Sequence, residues 1–356
     1  MEPEVEVVSP EVGEMQGLLV AARPMTRQAA DKAMTGALRA GELARASEYA
    51  EVHARHVTRD REQYVSIPKL QHDIAQFEYL QDQHVDIPDR TIDAYRQVLD
   101  AAQKERATTD RWLITDQEYD RIGAVYNQIV HRPDTPRVPT ALSPTWDPRQ
   151  VEQEYLDNGP GFAVIDGFLT DDALAGLRRF CLESTIWFNN RYAYGRLGSV
   201  FSRGFNCPLL VQLGEEIAQA FPGIIGPQHH LRQLWGYKNG ASQPATPPHA
   251  DFAAVNLNIW LTPDSANQDP ATGGLDIFDL KAPKDWEFDK YNKDGRAIRQ
   301  YLRESKATRT EIPYRANRAL LFNSDLFHAT QPLTFEDGYV NRRINVTFLF
   351  GKRTDE

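Results

Sequence analysis

The segment His131–Pro148, HRPDTPRVPTALSPTWDP, places five prolines within eighteen residues. No helix can continue through such a run, because each ring fixes φ and removes a backbone donor. An extended connector over residues 131–150 is therefore expected. It separates two stretches with different hydrophobic periods, and so divides the chain into an all-α part and a strand-rich part. Before it, the sequence reads as helix after helix. Ala29–His56 is rich in Ala, Leu, Glu and Arg and breaks at Gly41, which predicts a helical hairpin. Further helices are expected at Ser66–Gln81, Asp89–Ala107 and Asp116–Ile129. Residues 1–15 are acidic and aperiodic and are expected to form a frayed tail. Residues 16–130 are assigned to the helical domain. The hairpin about Gly41 is tetratricopeptide-like in length, but no second copy in register follows it.

After the connector, short apolar runs alternate with turns. Strands are expected at Gly161–Phe168, Leu231–Tyr237, Ala254–Leu261, Leu275–Phe278, Ala319–Phe322 and Arg343–Phe350. Helices are expected at Thr170–Ser184, Pro208–Ala220 and Asp294–Ser305. Many short strands with a few outer helices predict an α+β chain. Its C-terminal domain, residues 151–356, is read as a double-stranded β-helix (jelly roll) with flanking helices.

Composition narrows the classes of partner. A net charge of -10 disfavours a phosphate backbone or an anionic membrane, so neither nucleic acid nor membrane is expected as partner. The two cysteines, Cys181 and Cys207, form no CxxC or Cys/His cluster, which argues against a disulfide scaffold and a zinc-thiolate site. The N-terminus lacks a basic region followed by an apolar one, and a cytoplasmic protein is the expectation.

The residues that carry chemistry are His249, Asp251 and His328. In Pro248-His249-Ala250-Asp251 the two ligand types lie two apart and so share a face. His328 ends an apolar run, Asn317–His328, and is expected on a short turn after a strand. Two imidazoles and one carboxylate leave coordination positions open, as Fe(II) requires. An H-x-D pair alone is weak evidence; His84-Val85-Asp86 also occurs here and is read as a chance match. The last strand adds weight. Ile344, Val346, Phe348 and Phe350 form an apolar face, which sends Arg343, Asn345 and Thr347 into the lumen. A buried Arg343 needs an anion, either a bound carboxylate or an internal Asp or Glu. Arg342, on the opposite parity, is expected to reach solvent. Val255, Leu257, Ile259 and Leu261 likewise oppose Asn256, Asn258 and Trp260, and that second face would line a polar pocket.

These residues, in order, resemble the prolyl-4-hydroxylase-like branch of the Fe(II)/2-oxoglutarate oxygenase superfamily. The resemblance runs through GFAVIDGFLTDD from Gly161, Trp235-Gly236-Tyr237, the H-x-D pair, Gly273-Gly274-Leu275, the strand before His328, and Arg343–Thr347. It covers residues 161–353 and leaves the N-terminal helices outside. It implies a dioxygenase (an oxidoreductase) in which His249, Asp251 and His328 bind iron. Arg343 would bind the distal carboxylate of 2-oxoglutarate, with Tyr237, Asn345 and Thr347 assisting. The cofactors implied are Fe(II), 2-oxoglutarate and O2, with succinate and CO2 released. Related halogenases lack the carboxylate, so Asp251 favours hydroxylation over halogenation and leaves desaturation or cyclisation open. Two departures concern the substrate side: a long spacing from Tyr237 to His249, and an insertion from Lys281 to Pro313.

Residues 189–205 mix Gly, Arg and aromatics and are expected to form a lid. With it, Arg191, Tyr194 and Arg196 join Asn258 and Trp260 as candidate substrate contacts. The helical domain would hold a peptide or protein substrate, cap the pocket, or form a homodimer. The substrate is expected to be a peptide, an amino-acid-like molecule or a natural product, and His53, His56 and His72 are read as helix-surface residues. A non-catalytic cupin-like binding module or scaffold is the competing class.

Overall fold

The computed structural model describes residues 25–55, 63–157 and 161–353. The expected tail over residues 1–15 and His56 lie outside them. The first helices are α1 (Arg27–Arg39) and α2 (Leu43–Arg55). Thr26 caps α1 by accepting from the Ala29 amide. Gly41, at φ +75°, makes the break between the two helices; a Cβ there would also meet the His230 ring at 2.7 Å.

A second group follows: β1 (Tyr64–Ser66), α3 (Ile67–Asp82), α4 (Asp89–Glu105), β2 (Arg111–Leu113) and α5 (Asp116–Ile122). Thr115 and Glu118 form a capping box at the start of α5. This helix is shorter than its sequence suggests. Its apolar residues continue as turns that still pack inward, Tyr126 being fully buried. The antiparallel β1–β2 pair is a small departure from an all-α reading.

The remainder runs α6 (Pro148–Asp157), β3 (Phe162–Ile165), α7 (Asp171–Glu183), β4 (Leu197–Val200), α8 (Pro208–Ala220), β5 (Leu231–Lys238), β6 (Ser242–Gln243), β7 (Val255–Trp260) and β8 (Leu275–Lys281). It ends with α9 (Gly295–Glu304), β9 (Arg309–Ile312), β10 (Ala319–Asn323), β11 (Leu326–Thr330), β12 (Leu333–Thr334) and β13 (Ile344–Phe350). The large sheet has the order β3-β10-β7-β13-β5-β4, antiparallel at every pairing. Facing it are β11-β8-β9 and the short pair β12-β6. This is an α+β chain with a double-stranded β-helix in its C-terminal part, as the strand pattern predicts.

Alternation along the strands decides where the core lies. Val255, Leu257, Ile259, Ile344, Val346, Phe348 and Phe350 point to the outer face of the large sheet and join one apolar cluster with α7 and α8. Met34, Leu38, Leu43, Ala46 and Ala50 of α1 and α2 belong to the same cluster. The hairpin thus finishes the core of the β-helix, while α3, α4 and α5 build a second core around Phe77, Tyr95 and Tyr126. Between the sheets, Trp260, Ile277, Leu320, Phe322 and Leu326 close one end of the lumen. The other end is left for polar side chains.

Several expectations change here. His53 and His72 are buried rather than on helix surfaces; His53 Nδ1 lies 2.6 Å from the Ser202 carbonyl oxygen. Arg342 is half-buried rather than solvated: it ends the turn Tyr339–Asn341 ahead of β13, near Tyr339 and Asp73. The segment expected to be a lid contains β4, which pairs with β5 as the sheet edge. Only Leu197–Val200 of the segment join this ladder, and one bridge ties Asn189 to Gly198. Among the described residues, no helix is long and apolar enough to cross a membrane.

Candidate metal centre

His249 and His328 face each other across a backbone bridge, each amide donating to the other's carbonyl at 2.9 and 2.8 Å. His328 lies within β11, not on the turn expected of it. The chain reverses at Ser324-Asp325 and starts a new strand at Leu326, and an irregularity between Leu326 and His328 sets the ring's aim. The two rings lie 4.4 Å apart. The Asp251 amide donates to the Ser324 carbonyl at 3.0 Å, which fixes the carboxylate beside them. One ligand atom from each of His249, Asp251 and His328 falls within 4.8 Å of the others, the one such group among the described residues. His84 and Asp86 belong to no such group; His84 sits at φ 61° in the turn after α3.

Each ring is oriented by a main-chain contact. His249 Nδ1 is 3.2 Å from the Pro247 carbonyl oxygen and His328 Nδ1 is 3.0 Å from that of Leu326. With Nδ1 donating, Nε2 is left as the free lone pair on both rings. His328 Nε2 lies 3.5 Å from Asp251 Oδ2. Burial and the neighbouring His328 push His249 down to about 4, so it is neutral at pH 7. Burial would raise Asp251, but its hydrogen bond and charge interaction with His328, helped by His249 and Asn256, outweigh that and hold it at about 2. A neutral His249 and an ionised Asp251 are in the states that ligate a divalent metal.

Asn256 completes the support; the strand pattern places it on the pocket face but gives it no role there. Its Nδ2 donates to Asp251 Oδ2 at 2.6 Å, and its Oδ1 accepts from Ser324 Oγ at 2.7 Å. Its parity, shared with Asn258, was the available signal. Asn256→Ala is expected to weaken metal affinity by about 10–100-fold, the usual effect of losing a ligand's partner. Competition against a metal-chelating dye measures it, and an unchanged affinity would refute the assignment.

A cavity of about 610 Å³ opens over the three ligands and is also lined by Tyr237, Asn258, Arg343, Asn345 and Thr347. Arg191, Tyr194 and Arg196 line it from the β4 side. Of the candidate site residues, Trp260 alone is outside it. It is fully buried, stacks on Tyr314 at 5.4 Å, and lies 5.5 Å beneath the Arg343 guanidinium. Thr347 Oγ1 donates to Asn258 Oδ1 at 2.5 Å and accepts from Asn345 Nδ2 at 2.8 Å, a polar ribbon across β7 and β13. The Tyr237 and Tyr192 hydroxyls are 3.2 Å apart.

Arg343 is the anomaly of the lumen. It is 3% exposed, its Nε donates to the Gly273 carbonyl at 2.7 Å, and its Nη1 donates to Asn239 Oδ1 at 3.4 Å. No carboxylate lies within ion-pair reach of it among the described residues. Burial lowers it to about 10, with Tyr314 opposing and Arg196 adding to the drop. A buried guanidinium without an acid is costly; here it faces a cavity that an anion can enter.

The fold and site define a jelly-roll protein with a two-histidine, one-carboxylate metal centre, and its donor set fits Fe(II). No family model and no curated protein matches the sequence. Among solved structures, it is similar to SnoN, a non-heme alpha ketoglutarate dependent epimerase from nogalamycin biosynthesis. That alignment has 14% identity and a TM-score of 0.40, over 58% of this chain and 83% of the other. A prolyl-4-hydroxylase of Pseudomonas putida aligns at 15% identity and a TM-score of 0.38, over 58% and 99%. HygX of Streptomyces hygroscopicus, with nickel and 2-oxoglutarate bound, aligns at 16% and 0.39, over 57% and 87%.

Proposed function

We propose that the chain is an Fe(II)- and 2-oxoglutarate-dependent oxygenase that hydroxylates an unactivated C–H bond. The observation that carries this reading is one cavity holding both the three-ligand set and the acid-free guanidinium of Arg343. Bound iron with 2-oxoglutarate and O2 supplies the oxidation: 2-oxoglutarate becomes succinate and CO2, one oxygen atom entering succinate and the other the substrate.

This chain's residues perform the binding and orientation. Arg343 offers a planar fork for a bidentate carboxylate, and Gly273 and Asn239 fix its plane. Trp260 and Tyr314 behind it exclude water and strengthen the pairing. The Tyr237 hydroxyl faces the same cavity and can donate to the co-substrate. The ribbon Asn258–Thr347–Asn345 forms a polar floor, and Asp251, kept ionised by its neighbours, supplies the one negative ligand. The cavity is within the size range of sites for small organic ligands and admits an amino-acid-like or larger substrate beside the co-substrate.

Anaerobic titration of Fe(II)-loaded protein with 2-oxoglutarate tests this. A weak visible charge-transfer band is expected in the parent, absent in His249→Ala and weakened in Arg343→Ala. Iron bound with no band at saturating 2-oxoglutarate would reject the co-substrate and favour a plain metal-binding barrel.

A further inference from the structure

A second cavity, of about 730 Å³, lies beside the first. It is bounded by α1, the start of β5 and the insertion at Trp286. Gln233, Phe252 and Phe288 line both, so the two cavities adjoin across these three side chains, with the metal centre on the far side of the first. We propose that the substrate is an elongated, linear molecule with an apolar body and an anionic end, whose distal half lies in this second cavity. The proposal rests on the oxygenase reading for the role of the first.

The apolar body follows from the lining. Phe252 and Phe288, neither of them buried, turn apolar surface to the groove above the buried Met34, Leu38 and Phe201. These surfaces would be covered by an aliphatic or aromatic chain at roughly 25 cal/mol per Å². The anionic end follows from which charges already have partners. Arg353 on the same wall is saturated, its guanidinium donating to Asp325 and to the carbonyls of Trp286, Ala282 and Pro283. Lys284 is 3.0 Å from Asp325. Arg39 and Arg232 have no ion-pair partner among the described residues, and Arg232 Nε is buried without a hydrogen-bond acceptor. Neither guanidinium is held by a carboxylate among the described residues, so both charges are left for an anion that enters. The carboxylates of the lining, Asp31 and Glu287, are exposed and engage neither arginine.

The length follows from the geometry. A molecule confined to the metal cavity has no need of the second. One that spans both places its oxidised carbon by an anchor far from the chemistry, where binding energy can be used to set position. The arrangement also brings α1 into substrate binding, since Thr35 and Arg39 of that helix line the cavity. Carboxylates and phosphates share the required chemistry.

The test is fluorescence titration of the full-length Fe(II)- and 2-oxoglutarate-loaded protein, kept anaerobic, with 11-(dansylamino)undecanoate and its neutral methyl ester. The carboxylate is expected to bind at least about tenfold more tightly than the ester. Arg39→Glu and Arg232→Glu are each expected to lower its affinity about tenfold, and Thr35→Trp to obstruct it, with the 2-oxoglutarate charge-transfer band retained in all three. Displacement by dodecyl phosphate more readily than by dodecanoate would assign a phosphate end, and the reverse order a carboxylate. Equal binding of ester and acid, or affinities indifferent to the glutamate substitutions, would overturn the proposal. If the band never forms but the probe keeps this charge dependence, the oxygenase reading falls and the groove assignment stands.

Discussion

Arg343→Ala is expected to weaken 2-oxoglutarate binding by about 100-fold or more, while Fe(II) affinity stays within a few-fold of the parent. Removing one partner of a buried, hydrogen-bonded charge pair costs about 2–5 kcal/mol, and each 1.4 kcal/mol is tenfold in affinity. Arg343 meets the conditions for the upper part of that range. It is 3% exposed, has Trp260 and Tyr314 behind it, and among the described residues has no carboxylate to share its charge with. Arg343→Lys keeps the charge but loses the fork and the Gly273 and Asn239 contacts, so it should fall between parent and alanine. Isothermal titration of the Fe(II)-loaded, anaerobic protein measures both. An alanine variant that binds 2-oxoglutarate like the parent would place the co-substrate elsewhere and leave the buried guanidinium without a partner. The metal ligands do not touch Arg343, which is why iron binding serves as the control for folding.

Much of this site was legible because strand parity is a two-state rule. Once Ile344, Val346, Phe348 and Phe350 are taken as core, Arg343, Asn345 and Thr347 have only the lumen left. The same rule placed Asn258 correctly and failed at Trp260. Parity gives the face of a strand but not the depth along it, and Trp260, at the end of β7, lies where Tyr314, Leu320 and Phe335 plug the lumen. His328 was assigned to the right site on the wrong element. A two-residue reversal at Ser324-Asp325 leaves too little polar sequence to separate β10 from β11. Helix positions were readable from caps and composition, including Pro208–Ala220 in full. What they pack against was not. The apolar stripe of α1 and α2 specifies a hydrophobic partner but not which one, and only the fold shows it to be α8 and the back of β5.

The buried charges joining α3 to the β-helix were invisible for the same reason, and they carry the second large effect. Asp73→Ala is expected to destabilise the protein by about 3–5 kcal/mol, the cost of stranding buried charge by removing its counter-ion. Asp73 is 5% exposed, is paired with Lys69, and lies 3.0 Å from His72 Nδ1. Lys238 and Arg342 of the β-helix face it as well. Lys238, fully buried, donates to the Tyr339 hydroxyl at 2.7 Å, and that hydroxyl donates to the Leu182 carbonyl at 2.5 Å. Without Asp73, three cations share one buried neighbourhood. Burial lowers Lys238 well below its ordinary value, so loss of its proton relieves part of the penalty. Lys69→Met combined with Asp73→Leu should recover part of the loss, since it removes one of the three cations but leaves Lys238 and Arg342 without the carboxylate. Acid acts on the same cluster. Burial, Lys238, Arg342 and Lys69 hold His72 neutral well below 6.5, whereas the unfolded chain takes up that proton near 6.5. The stability His72 contributes is therefore present above about pH 6.5 and lost as pH falls below it. Urea midpoints of the parent, the single and the double variant at pH 7.5 test the pair, and the parent at pH 5.5 tests the histidine. A loss under about 1 kcal/mol for Asp73→Ala would mean that water reaches these charges and that α3 is held to the β-helix by apolar contact alone.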